Sequence, residues 1–340
     1  MTSRFSSISN YVITNRCNSR CTICNIWKTD PTADPKIDQI SKFFEVNKGY
    51  LKNLKFIQLT GGEPFLRSDL PEIAEIIHDI SPNCMIWIPT NGLLPQIIMK
   101  TTQKVLTTID ETKLGITISI DGTEKIHDKQ RGIIGSYKKA METLNLLCSL
   151  KKMYNFHLST GFTLTDLNYN QSLKVQEIAY KHNSDFSFRP INLSEHYYRN
   201  LEKDKSFSNN TVTHYLDVIA KNILKRKGII RSLTNLAYIK GSKEFINNQR
   251  KMTCSAATES IYIDIVGDVY PCIIMNTKLG NVYNNSLKEI LQSRKTLETR
   301  EKIKKLNCPG CWLECESYRD IKKEWFSLLK ALVWGIKLSF

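Results

Sequence analysis

Through the first 195 residues, short apolar runs alternate with longer stretches whose apolar residues return at helical spacing. The runs at 11–14 (YVIT), 54–60 (LKFIQLT), 85–90 (MIWIPT), 115–120 (GITISI), 156–164 (FHLSTGFTL) and 185–191 (DFSFRPI) predict six strands. Between them, 38–47, 70–80, 96–106, 136–150 and 172–182 predict amphipathic helices, with Asp69 placed to cap the second. Near-continuous apolar strands suit a parallel sheet covered on both faces. The alternation therefore predicts an α/β fold with a parallel sheet, open or closed. Residues 200–250 are more polar and carry a moderate helical period. From Met252 the pattern changes: ESIYIDIVGDVYPCIIM reads as two strands joined at VGD, a hairpin, and 286–306 reads as helix. The chain closes with CPGCWLEC and a last helix, DIKKEWFSLLKALVWGIKLSF.

Composition narrows the function classes. Length and an apolar share of 41% fit a globular chain of roughly two domains. The opening MTSRFSSISN has no apolar signal core, and no run of about 18 apolar residues exists, so a cytoplasmic chain is expected. The net charge of +15 suits nucleic acid, an anionic membrane surface or an acidic small molecule. No aromatic-interleaved basic stripe accompanies it, and nucleic acid is not favoured. The ten cysteines are clustered, three at 17–24 and five at 254–315. In a reducing compartment, clustered thiols point to metal rather than to disulfides.

The first cluster, CNSRCTIC, spaces Cys17, Cys21 and Cys24 as C-x3-C-x2-C after a strand. Structural zinc takes four ligands, and no fourth Cys or His is local, the nearest downstream His being His78. A [4Fe–4S] cluster is normally held by four thiolates; with three, one iron keeps an open position where a cosubstrate binds.

CNSRCTICNIW, LTGGEPFLR at 59–67, TNG at 90–92, and SIDG with HDKQRG at 119–132 together resemble the radical S-adenosylmethionine (SAM) superfamily over roughly 8–195. The resemblance implies a partial (β/α)6 barrel with its site at the C-terminal ends of the strands, where each of these motifs falls. It implies a cluster on Cys17, Cys21 and Cys24 whose open iron binds SAM, leading to a 5′-deoxyadenosyl radical that abstracts hydrogen from substrate. In the GGEP motif of Gly61, Gly62, Glu63 and Pro64, the glycines would admit the methionine end and Glu63 would accept from its ammonium group. Arg131 would face the carboxylate, and Ser119 and Asp121 the ribose or methionyl end; Asn91 belongs to the TNG motif. Ile23 stands where the family often has an aromatic residue; Trp27 is expected to fill core.

Cys254 and Cys272, as C-x12-G-x4-C with Gly267 at the turn, resemble the start of the auxiliary-cluster domains called SPASM and twitch. Five thiols suffice for one auxiliary [4Fe–4S] cluster: Cys254, Cys272 and two of Cys308, Cys311 and Cys315. A zinc ribbon would use the same thiols.

The expected organisation is a radical SAM barrel over 1–200, a helical connection over 201–250, a SPASM/twitch-like α+β domain over 251–318, and an amphipathic helix over 319–340. That last helix suits a membrane surface, packing against the barrel, or a dimer interface. Cys84, Cys148, His157 and His182 are expected to be structural, and Arg189 to meet an acidic substrate or a surface partner. The whole predicts a radical SAM oxidoreductase or related enzyme with an unidentified substrate, an acidic small molecule or a peptide, and an external donor such as flavodoxin or ferredoxin. A peptide-modifying enzyme with a separate recognition partner is one alternative. A zinc-stabilised nucleic-acid-binding protein is the alternative from another class.

Overall fold

The computed structural model of the protein describes residues 5–202, 209–247 and 252–339; residues 203–208 and 248–251, in and just after the expected connection, lie outside the described residues. In chain order, β1 (Ser7–Thr14) precedes α1 (Ile37–Val46) and α2 (Lys48–Leu51), and β2 (Phe56–Gly61) precedes α3 (Leu70–Ile80). Next come β3 (Met85–Thr90) with α4 (Pro95–Thr108), and β4 (Leu114–Ser119) with α5 (Glu124–Arg131) and α6 (Ser136–Leu150). Then follow β5 (His157–Leu164) with α7 (Ser172–Lys181), and β6 (Asp185–Pro190) with α8 (Asn209–Ile246). The C-terminal part adds β7 (Ser260–Ile263), β8 (Asp268–Tyr270), β9 (Gly280–Asn281), α9 (Leu287–Gln292), α10 (Arg294–Lys304), α11 (Glu314–Ile321) and α12 (Trp325–Ser339).

The six predicted strands are all present and pair in parallel from β1 to β6. Helical crossovers between parallel neighbours give the α/β architecture that the alternation implied. The helices bury one stripe each: α3 turns Leu70, Ile73, Ala74, Ile77 and Ile80 inward and leaves Glu72, Glu75 and Asp79 exposed. Asp69 does stand at the N-cap of α3, but its carboxylate makes no cap bond. Arg67 takes it instead, through Nε to Oδ1 at 2.8 Å and Nη2 to Oδ2 at 2.5 Å.

The expected hairpin, β7–β8, is antiparallel, and it does more than form a separate small domain. β7 pairs in parallel with β1, Ser7 opposite Ser260 and Tyr11 opposite Ile263. A single sheet runs β6-β5-β4-β3-β2-β1-β7-β8-β9. β1 thus lies inside the sheet with both edges paired, and all eight of its residues are buried. Helix α5 was not anticipated, because EKIHDKQR is too polar to show a stripe. The long α8 breaks at Gly228, whose φ of 69° and ψ of 170° are not helical. Cys84 is wholly buried ahead of β3, and Cys148 donates to His182 O at 3.0 Å.

Candidate active site

β1 delivers the chain at Thr14 to the C-terminal edge of the sheet, where it turns into the loop bearing Cys17, Cys21 and Cys24. Neighbouring backbone grips this loop on three sides. From the end of β2, Gly62 N donates to Thr14 O and Glu63 N to Arg16 O, both at 2.8 Å. At the end of α5, Arg131 O accepts from Arg20 N at 3.0 Å, and Gln130 O from Thr22 N at 2.9 Å. Beyond β6, Tyr198 O accepts from Asn25 N at 2.8 Å, and Asn200 Nδ2 donates to Ile23 O at 2.9 Å.

These contacts give the glycines a structural role. A Cβ on Gly61, at φ +131°, would lie 2.0 Å from Thr14 O, and one on Gly62 would lie 2.1 Å from Arg16 O. Their bare backbone lets the cysteine loop pass this close. Gly132 repeats the device opposite: its Cβ would lie 2.2 Å from Arg20 O.

The loop closes one wall of an open cleft at the strand ends. The three thiols line it together with Gly61, Gly62, Glu63, Asn91, Ser119 and Arg131. Two nominated residues do not line it. Pro64 is buried in the turn after β2. Asp121 is fully buried behind Arg131: Oδ1 accepts from Thr163 N at 2.9 Å, and Oδ2 lies 2.6 Å from Arg131 Nη2. Asp121 thus holds Arg131 from a buried position behind the cleft.

Arg131 Nη1 lies 3.8 Å from Cys21 Sγ, and Ser19 Oγ lies 3.1 Å from the same sulfur. Glu63 joins two strand ends: its Oε1 accepts from Thr90 Oγ1 at 2.8 Å and its Oε2 from Asn91 N at 2.7 Å. Burial pushes its carboxyl up to about 7 against these bonds. Burial likewise pushes the Cys17 thiol to about 11 and the Cys24 thiol to about 12. As thiolates, these sulfurs need a compensating positive centre in the space they face. A metal cluster supplies one, so the donor set fits a [4Fe–4S] group.

The cleft also contains residues that carried no readable motif. Arg189 at the end of β6 lines it, with Nη1 3.9 Å from Glu314 Oε2. Tyr197 and Tyr198 line it too, and Tyr197 hydroxyl lies 2.9 Å from Thr60 Oγ1. Trp27, expected in the core, stands at the cleft wall, its Nε1 donating to Cys24 O at 2.9 Å. Cations from Arg20 and Lys28 each sit 5.1 Å from its ring.

In the C-terminal part, burial pushes the Cys254, Cys272 and Cys315 thiols up, and Cys311 is buried as well. Met275 N donates to Cys272 Sγ at 3.4 Å and Ala256 N to Cys254 Sγ at 3.5 Å. Asn10 Nδ2, from β1, lies 3.8 Å from Cys315 Sγ. One strand therefore leads into the first cysteine group and touches the second.

Arg67, the last residue of the GGEPFLR stretch, is a structural lock. Its buried Nη1 donates to Ile13 O at 2.7 Å and to Pro35 O at 2.8 Å, tying β1 to the segment before α1. Arg67→Ala orphans two buried carbonyls and is expected to cost about 3 kcal/mol. A matching fall in the urea unfolding midpoint, with the slope unchanged, checks this.

Residues 11–169 match the family model of the radical SAM superfamily, and residues 254–316 match that of SPASM, an iron–sulfur cluster-binding domain. The chain therefore carries a radical SAM domain and a SPASM domain. These two domains imply a SAM-binding [4Fe–4S] cluster and auxiliary iron–sulfur ligation. Over 335 residues the chain is 23% identical to the AdoMet-dependent heme synthase of Methanosarcina barkeri, covering 88% of this chain and 89% of that one. It is 34% identical over 88 residues to the 7,8-dihydro-6-hydroxymethylpterin dimethyltransferase of Methanocaldococcus jannaschii, covering 25% of this chain but only 17% of that protein's length. The crystal structure of Streptococcus suis SuiB bound to S-adenosylmethionine shares the fold, with a TM-score of 0.66 and 14% identity over 89% of this chain and 71% of that one. SuiB has also been crystallised bound to its precursor peptide SuiA. Among the described residues, no helix is long and apolar enough to cross a membrane.

Proposed function

We propose that this chain holds a [4Fe–4S] cluster on Cys17, Cys21 and Cys24 and SAM in the adjoining cleft, and oxidises or otherwise transforms an acidic substrate by hydrogen abstraction. The observation that carries this reading is the loop clamped between Gly62 and Arg131, which turns three thiols toward one cleft. When bound, the cluster and SAM supply a 5′-deoxyadenosyl radical. The chain's own residues bind and orient. Arg131, fixed by Asp121, offers a cation beside Cys21 for the carboxylate of SAM. Asn91 and Ser119 offer polar groups at the strand ends. Arg189 offers a second cation in the same cleft, which supports a substrate with an anionic group. Cys254, Cys272, Cys311 and Cys315 would hold one auxiliary [4Fe–4S] cluster, whose chemistry would be electron transfer. A flavodoxin or ferredoxin would supply the reducing electron. An acidic peptide is the second reading of the substrate; the fold shared with SuiB, whose ligands include a precursor peptide, supports it.

Anaerobic reconstitution tests the proposal. About eight irons per chain are expected, with 5′-deoxyadenosine formed on adding dithionite and SAM and lost in Cys24→Ala. Stoichiometric zinc without SAM cleavage would sink it and favour a zinc-stabilised nucleic-acid binder.

A further inference from the structure

The last helix buries only one side. Ala331 and Gly335 face α8, and the fit is close: a Cβ on Gly335 would lie 2.9 Å from Leu236 and 3.3 Å from Ile229. The opposite side carries Trp325, Phe326, Leu329, Val333 and Ile336, each between 46% and 62% exposed. At helical spacing these five fall within an arc of about 100°. A contiguous apolar stripe of this kind marks an interaction surface, unlike scattered exposed residues. Exposed Lys330 and Lys337 border one flank of the arc.

A second exposed feature adjoins the C-terminal half of α12. Ile229 packs near Gly335, and its neighbour Ile230 is 79% exposed. Around it stand exposed Lys225, Arg226, Lys227 and Arg231, at the break in α8. Lys330 and Lys337 flank the apolar stripe itself; the basic turn of α8 lies toward the side of α12 that carries Gly335, on a chain of net charge +15.

We propose that the exposed face of α12 forms a docking face for an anionic lipid bilayer surface. The geometry suits a helix lying in the interface plane. Fifteen residues span about 22 Å, short of the ~30 Å hydrocarbon layer. The apolar arc enters the acyl boundary while the lysines reach the phosphates. Charge decides against a second copy of the chain. A second copy of the chain presents the same basic flank of Lys330 and Lys337 and the same net charge of +15. A bilayer of anionic headgroups offers the opposite sign.

Flotation of the full-length holoprotein with vesicles tests the proposal. Vesicles of phosphatidylcholine with phosphatidylglycerol should carry the protein upward, phosphatidylcholine alone should carry far less, and raised salt should release it. The double variant Leu329→Glu/Val333→Glu should stay at the bottom while keeping the wild-type melting temperature and SAM cleavage. Each of Lys330→Ala and Lys337→Ala should weaken binding about fivefold, the equivalent of ~1 kcal/mol per charge. Equal flotation with both vesicle types would overturn the anionic assignment. No flotation with either would overturn the docking face. A wild-type dimer in sedimentation without vesicles, made monomeric by the double variant, would assign the stripe to a second copy instead.

Discussion

Gly62→Ala is expected to empty the SAM-cluster site while leaving the barrel folded. The methyl group would stand 2.1 Å from Arg16 O, where real Cβ contacts stay above 3.0 Å. Arg16 is next to Cys17, and its carbonyl accepts the Glu63 N–H that helps fix the loop. The loop must retreat by about 1 Å, a displacement that commonly costs on the order of a hundredfold in rate. Iron after reconstitution should fall from about eight to about four per chain, with far-ultraviolet circular dichroism unchanged. Formation of 5′-deoxyadenosine should fall by about a hundredfold or more. An alanine variant with full iron and wild-type SAM cleavage would show that the loop does not depend on this close crossing.

The second large effect separates the five C-terminal thiols. Cys311→Ala and Cys315→Ala should each lower reconstituted iron from about eight to about four per chain, whereas Cys308→Ala should keep about eight. The grounds are burial and contact: burial pushes the Cys254, Cys272 and Cys315 thiols up, Cys311 is buried, and Asn10 of β1 reaches Cys315. Retention of iron in Cys315→Ala together with its loss in Cys308→Ala would move the ligand set to the C-x2-C pair. SAM cleavage should survive in all three variants, since Cys17, Cys21 and Cys24 lie on a separate loop.

The β/α alternation was legible because buried parallel strands leave continuous apolar runs, and each expected strand lies in the sheet within a few residues of its place. The cysteine loop was legible because three thiols in eight residues are rare and their spacing is chemical. The loop's supports were not. Gly61 and Gly62 resembled residues of a ligand cradle, and only three-dimensional neighbours reveal Thr14 O and Arg16 O in the space beside them. Asp121 lies in a recognisable stretch, yet nothing local says that Arg131 stands between it and the cleft. Helix α5 hid because its buried side carries His127, Gln130 and Arg131 rather than aliphatic residues. Arg189 carried two readings in the sequence, an acidic substrate or a surface partner, and it lines the cleft; Tyr197 and Tyr198 reach the cleft from the segment beyond the last strand, where no periodicity distinguishes a wall from a connection. The pairing of β7 with β1 spans about 250 residues, beyond the reach of any local pattern.

That long-range pairing bears on how the chain is made. β1 leaves the ribosome about 250 residues before the strand that covers its second edge, a delay of roughly 10–50 s at ordinary translation rates. For that interval the nascent chain presents SISNYVIT as an open strand edge able to pair with another chain. A ribosome stalled before residue 260 would release a product with its first cysteine loop present and this edge bare. Its characteristic fate is edge-to-edge aggregation, set by the order of synthesis rather than by any lack of chemistry in the part already made.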